Sequence, residues 1–247
     1  KKLLIPYFLF SIVEFVIRIF LVPLNSNEIH KGLKDIFWSG NGYYIEWFFL
    51  ALFWTEIIAI LIEKYVSENE RKYYVFVIVL AGIICSELRI NLPFKIGTAF
   101  TALLFFFLGK NMKTIIDEFN ILLGFILWGG TFICSFKLYG QTWELKANYC
   151  TDLALGILMA ILGSVLVIKC SKVISEHFKR FPKALSFIGR ESFWIYPLSA
   201  SVPQITMDIL NKIGVELSHG SIVIKIGIYL VSWLEIYIFI KFVQYIR

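Results

Sequence analysis

Charge is scarce in this 247-residue chain: 17% of its residues are Asp, Glu, Lys or Arg, against about 25% in an ordinary soluble domain. That deficit excludes a soluble globular fold. It also excludes a disordered chain, which needs low hydrophobicity and high net charge. Histidine is rare, and His30, His177 and His219 all fall between apolar runs, so no buried histidine base is expected. The four cysteines, Cys85, Cys134, Cys150 and Cys170, form no CxxC and have no histidine close in sequence. They read as structural or incidental, and no metal or redox centre is expected. HExxH, GxSxG, P-loop and GxGxxG patterns are missing, and no fixed-period repeat is visible. The first residues are Lys1 and Lys2, with no initiator Met, charged n-region or small-residue cleavage site, so no signal peptide is expected.

What the chain does have is apolar mass. Hydrophobic residues make up 58% and aromatics 17%, with 24 Phe, 12 Tyr and 7 Trp. Mean hydropathy is +0.75. Runs long enough to cross a hydrocarbon core occupy 3–22, 43–62, 73–86, 94–108, 119–136, 152–168, 187–210 and 221–246. The expected fold is an all-α polytopic transmembrane helix bundle with about eight spans, read as one domain over 1–247. No connecting segment is long enough for a separate soluble domain.

The net charge of +6 would raise the question of nucleic acid in a soluble protein. Here it reads as topology. Alternate connections collect fifteen Lys and Arg on one side and seven on the other, with Arg18 and Lys225 inside runs. By the positive-inside rule both termini and the 171–191 loop are expected in the cytoplasm, in a plasma-membrane, multi-pass protein whose partner is the bilayer rather than nucleic acid.

Ionisable groups inside such runs are costly and face a neighbour or a wet cavity. Glu14 and Arg18 stand i,i+4 on one face of the first run, either as a self-neutralising pair or as a charged cavity wall. Glu46 opens the second run beside Trp47, at an interface or at a site. Glu56 lies about three turns further on with no cation at helical spacing, and Glu235 is similarly isolated in the last run. Each needs a partner on another helix or a polar cavity, and Glu235 with Arg18 is one candidate pairing. Lys225 is read as snorkelling. Gly129, Gly130, Gly156 and Gly163 read as close-packing positions. The 169–190 segment holds six basic residues, an anchor to anionic lipid or a phosphate-binding site.

Four segments in order resemble the acyltransferase-3 family of integral membrane O-acyltransferases, in its sugar O-acetylase-like branch. They are KKLLIPYF at 1–8, EWFFLALF at 46–53, LPF with TAFTALLFFFLG over 92–109, and FIGRESFWIY at 187–196. The resemblance runs along essentially the whole chain. It implies transfer of an acyl group, typically acetyl, from cytoplasmic acyl-CoA to a hydroxyl of a surface polysaccharide, lipid-linked sugar or similar acceptor. It implies no tightly bound cofactor, only acetyl-CoA as donor.

Under that resemblance Lys179, Arg180, Lys183 and Arg190 are the candidates for acyl-CoA phosphates. Glu14, Arg18, Glu46, Trp47 and Tyr196 are the candidates for the acceptor cavity. The family's histidine belongs to a helix pair that would precede Lys1, so the chain is expected to lack two N-terminal helices and not to turn over alone. Glu56 and Glu235 remain as weaker candidates for a base. Many relatives carry a further His where Leu198 or Ser199 stands, a departure that bears on the acceptor. The alternative functions are a transporter or exporter of a small polar molecule, with the same charges lining a pathway, or a non-catalytic remnant.

Overall fold

A computed structural model of the protein describes residues 1–42, 45–139, 153–177, 181–214 and 222–246. The described residues are helical, with no strand among them. The ten α-helices are α1 (Leu4–Leu21), α2 (Ser26–Lys34), α3 (Trp47–Tyr65), α4 (Glu68–Glu87), α5 (Ile96–Glu118), α6 (Ile121–Tyr139), α7 (Leu153–His177), α8 (Phe181–Arg190), α9 (Ser192–Lys212) and α10 (Ile222–Ile246).

The apolar runs fall on helices, although the 187–210 run is divided at Glu191 between α8 and α9. Among the described residues, five helical stretches are long and apolar enough to cross a membrane, rather than the eight expected: Leu4–Leu21, Pro93–Lys110, Ile121–Leu138, Leu155–His177 and Ile226–Tyr245. The remaining long helices carry more polar sequence: Glu56, Glu63 and Lys64 in α3, a charged first turn in α4, and Gln204, Asp208 and two prolines in α9. Large apolar side chains point outward along the bundle, Phe20, Leu122 and Ile222 each more than 70% exposed. A soluble surface does not tolerate so much, whereas lipid does.

Two segments read as linkers are helical. Asn25 caps α2 in a reciprocal box: Glu28 N–H donates to Asn25 Oδ1 at 2.9 Å, and Asn25 N–H to Glu28 Oε2 at 2.8 Å. A wider π turn, Asp35–Ser39, follows and stops at Gly40, whose φ is +70°. The 171–191 loop is instead the end of α7 followed by α8, with Pro182 in the first turn of α8, where its missing N–H costs least. His30 and His177 therefore lie on helices, each exposed and close to its own i−4 carbonyl, while His219 lies outside the described residues.

The chain divides into two compact units, one of Lys1–Phe49 with Ala184–Arg247, the other of Leu50–Lys183. In the first, α9 packs against both α1 and α10. Ile195, Ile236 and Ile240 form its apolar centre, with Trp194 and Leu198 against them. Contacts Phe10–Trp194, Arg18–Asp208 and Phe20–Lys212 show that α1 and α9 run in the same direction. Contacts Thr206–Glu235 and Glu191–Gln244 show that α10 runs opposite to α9.

In the second unit α4 packs on α5 and α6 on α7. A Cβ on Gly82 would stand 2.8 Å from the Thr101 backbone nitrogen, so only glycine allows the α4–α5 approach. The other glycines do not all pack as expected. Gly163 backs onto Trp128, but Gly129 and Gly130 face open space.

Candidate functional site

The polar centre of the first unit is built from α1, α9 and the turn before α3. Tyr7, Ser11 and Glu14 occupy one face of α1 at helical spacing, each at most 3% exposed. Tyr7 donates its hydroxyl to Ile36 O at 2.7 Å, which fixes the π turn against α1. Glu46, fully buried, presents its carboxyl to Glu14, and Ser201 of α9 lies beside the same Glu14 carboxyl. Tyr196, one turn before Ser201, stands within electrostatic reach of Glu46 and packs its ring on Phe48 at 5.1 Å between centroids.

Gly42 makes room for this arrangement. Its φ is +66°, and a Cβ there would stand 2.5 Å from Glu46 Oε2 and 3.2 Å from Ser11 Oγ. The Glu14 carboxyl thus has Glu46 and Ser201 as its polar neighbours, while the Ser11 hydroxyl has no hydrogen-bond partner among the described residues. A buried hydroxyl left bare costs about 1–3 kcal/mol, so the centre has capacity for a further polar partner.

Arg18 lies one turn along α1 from Glu14. It meets Asp208 of α9 at 3.5 Å, and Asp208 also accepts from Gln204 Nε2 at 3.1 Å. Beside the i,i+4 neighbour that the sequence offers, packing gives Arg18 a partner on another helix, because Asp208 is nine-tenths buried and needs the cation. Lys212 Nζ donates to Phe20 O at 2.8 Å and caps the C-terminus of α1. Prolines 197 and 203, both buried, remove two donors from the α9 ladder beside this site. Ser201 Oγ turns back to Pro197 O at 3.0 Å.

Of the residues singled out in the sequence, Glu14, Glu46 and Tyr196 come together and Arg18 flanks them. Trp47 is buried, edge-on to the Phe48 ring, so its faces serve packing. Glu56 is exposed on α3. Glu235 is exposed on α10 and accepts from Thr206 Oγ1 at 3.2 Å rather than meeting Arg18. Arg190, 70% exposed, closes α8 with its Nε 3.3 Å from Glu191 Oε1. Buried Glu191 also accepts from Gln244 at 2.8 Å, and Lys241 sits over the Phe187 ring nearby. Lys179 and Arg180 lie outside the described residues, and Lys183 is placed only as a backbone position in α8. Lys225 likewise is a backbone position in α10, and Cys150 lies outside the described residues. Cys85, Cys134 and Cys170 are free thiols.

Tyr7, Ser11, Ser201 and Asp208 were not anticipated. Asp208 carried the same signal as Glu14, a carboxylate inside an apolar run, and Tyr7 and Ser11 carried the one-face spacing with Glu14. Ser201 had no sequence signal of its own.

Searches of family models, of curated proteins and of solved structures find no match to this chain. The resemblance to the acyltransferase-3 family therefore rests on the four quoted segments.

Proposed function

We propose that the protein is an integral membrane O-acyltransferase, and that the Glu14–Glu46 centre receives the acceptor hydroxyl. The observation that supports this reading best is the pair of buried carboxyl groups on α1 and the turn before α3, with Ser201 and an unpartnered Ser11 hydroxyl beside them and a tyrosine on either side. A carboxylate that takes a proton from an alcohol supplies the general base that acyl transfer needs. The acceptor oxygen then attacks the thioester carbonyl. The new C–O bond forms, the C–S bond breaks, and the proton passes from the carboxyl to the departing thiolate. Tyr7, Tyr196 and the serines supply hydroxyls suited to holding a carbohydrate-like acceptor.

Acetyl-CoA, or another acyl-CoA, is the proposed donor, and Arg190 with Lys241 at the α8–α9 junction is the proposed contact for its phosphates. The proposed setting is the plasma membrane with both termini cytoplasmic. Parallel α1 and α9 suit that topology when α3 to α7 between them are taken as five crossings, an odd number.

One observation favours a second reading. Two buried prolines remove backbone donors from the continuous helix α9 where it borders the acid pair, a weakening of the helix that would suit a moving element beside a transport path. In that reading a small polar molecule passes the same carboxyls without reacting.

The experiment is transfer from radiolabelled acetyl-CoA in membranes of cells expressing the intact gene. Label in the carbohydrate or glycolipid fraction, dependent on the gene, supports the acyltransferase. Uptake or efflux in proteoliposomes with no dependence on acyl-CoA supports the transporter instead.

A further inference from the structure

The second unit holds a cavity of about 600 Å³ between α4, α5 and the C-terminal end of α3. That volume lies within the roughly 300–1,000 Å³ usual for ligand sites. Its floor is apolar, made by Val75, Val79, Leu104 and Phe107. This is where α4 and α5 stand one to two turns away from their tight crossing at Gly82 and Thr101, so the helices leave a cleft that their own side chains do not fill.

Its mouth is charged. Arg71, Lys72 and Lys110 stand there with Glu63 and Glu68, three cations to two carboxylates. Lys110 is engaged by Glu63. Arg71 spends two donors on the last carbonyls of the α3 region, Glu63 O at 2.9 Å and Val66 O at 3.2 Å, so its charge meets no carboxylate there. Lys72 is exposed and lies 5.1 Å from the centroid of the Tyr73 ring. Tyr65, Tyr73 and Tyr74, each more than half exposed, stand at the same end. Exposed tyrosines next to Lys and Arg, where an apolar stretch ends at Lys110, mark the headgroup level of a bilayer.

We propose that this cavity is a binding site for a phospholipid with an anionic headgroup. Its phosphate lies against Lys72 and Arg71, and one acyl chain occupies the cleft over Val75, Val79, Leu104 and Phe107. Charge and shape select the class together: a free phosphate has no use for the apolar floor, and a neutral lipid has no use for the surplus cation. The site belongs to the unit that does not contain the Glu14–Glu46 centre, so it is independent of the proposed activity.

The test is native mass spectrometry of the detergent-purified protein with chain-matched phosphatidylglycerol and phosphatidylcholine. The wild type retains phosphatidylglycerol on the order of tenfold more strongly. Lys72→Glu removes that preference, while Val75→Trp, which fills the cleft, lowers retention of both lipids. Leu104→Phe narrows the cleft more gently and gives a smaller loss of the same kind, which covers the case in which the tryptophan variant does not fold. Inorganic phosphate leaves phosphatidylglycerol bound. Equal retention by the wild type, Lys72→Glu and Leu104→Phe overturns the site, and displacement of the lipid by inorganic phosphate overturns its assignment to lipid.

Discussion

Glu14 of α1 and Glu46 of the turn before α3 bring two buried carboxyl groups together, at 3% and 0% exposure. Burying two carboxyl groups side by side in a low-dielectric interior is costly. Such an arrangement costs stability, and proteins keep costly groups mainly where they act. Arg18 flanks the pair and meets Asp208 of α9.

That division of labour makes Asp208 structural. Asp208→Ala removes the carboxylate that Arg18 meets, and the expected loss is about 1–3 kcal/mol, below the value for a fully buried pair because Arg18 is 28% exposed. Thermal unfolding in detergent measures it. The double change Arg18→Met with Asp208→Leu is expected to recover most of the loss, as an apolar pair replaces the ionic one.

Gly42 separates conformation from space. Gly42→Ala forces a left-handed φ on a residue with a Cβ, at about 1–2 kcal/mol, and drives that Cβ against Glu46. Gly214→Ala carries the same backbone strain at φ +88° with nothing within 4 Å of the new atom. Both variants are expected to lose the stability that the backbone strain costs, the Gly42 variant more because of its clash, measured by thermal unfolding, and only the Gly42 variant is expected to lose activity.

Arg190 speaks to the donor. With 70% of its side chain open and its Nε against Glu191, it keeps N–H donors for phosphate. Arg190→Ala is expected to raise the KM for acetyl-CoA about tenfold while kcat changes little, the pattern of lost uniform binding. An unchanged KM removes the phosphate assignment.

Much of the architecture was legible because lipid imposes a simple rule: each long apolar run must become a helix that satisfies its own backbone. The described parts of the runs are helical, with the 187–210 run divided between α8 and α9, and five stretches meet the length and apolarity for a crossing. The amphipathic pieces α2 and α8 were missed because their apolar content is too low for that rule, although Asn25 and Glu28 spell a capping box. At the site, burial of Glu14 and Glu46 was readable from charge in apolar surroundings, but their meeting was not, since it depends on how α2 and the π turn fold the chain back onto α1. The same limit hid Asp208 as a partner of Arg18: spacing along one helix offers Glu14, while packing adds Asp208. Glu56 and Glu235, like Glu14, are carboxylates inside apolar runs, and only the fold shows them exposed.

The most direct test of the acid centre compares acetyl transfer, in membranes from cells expressing the intact gene, for Glu14→Gln, Glu46→Gln, Glu56→Gln and Glu235→Gln. The amides preserve shape and remove only the carboxylate. Loss of about 100-fold or more in kcat for Glu14→Gln or Glu46→Gln is expected, with thermal stability kept or raised, and changes within about twofold for Glu56→Gln and Glu235→Gln. Full activity in both Glu14→Gln and Glu46→Gln, or a comparable loss in the exposed pair, would contradict the account.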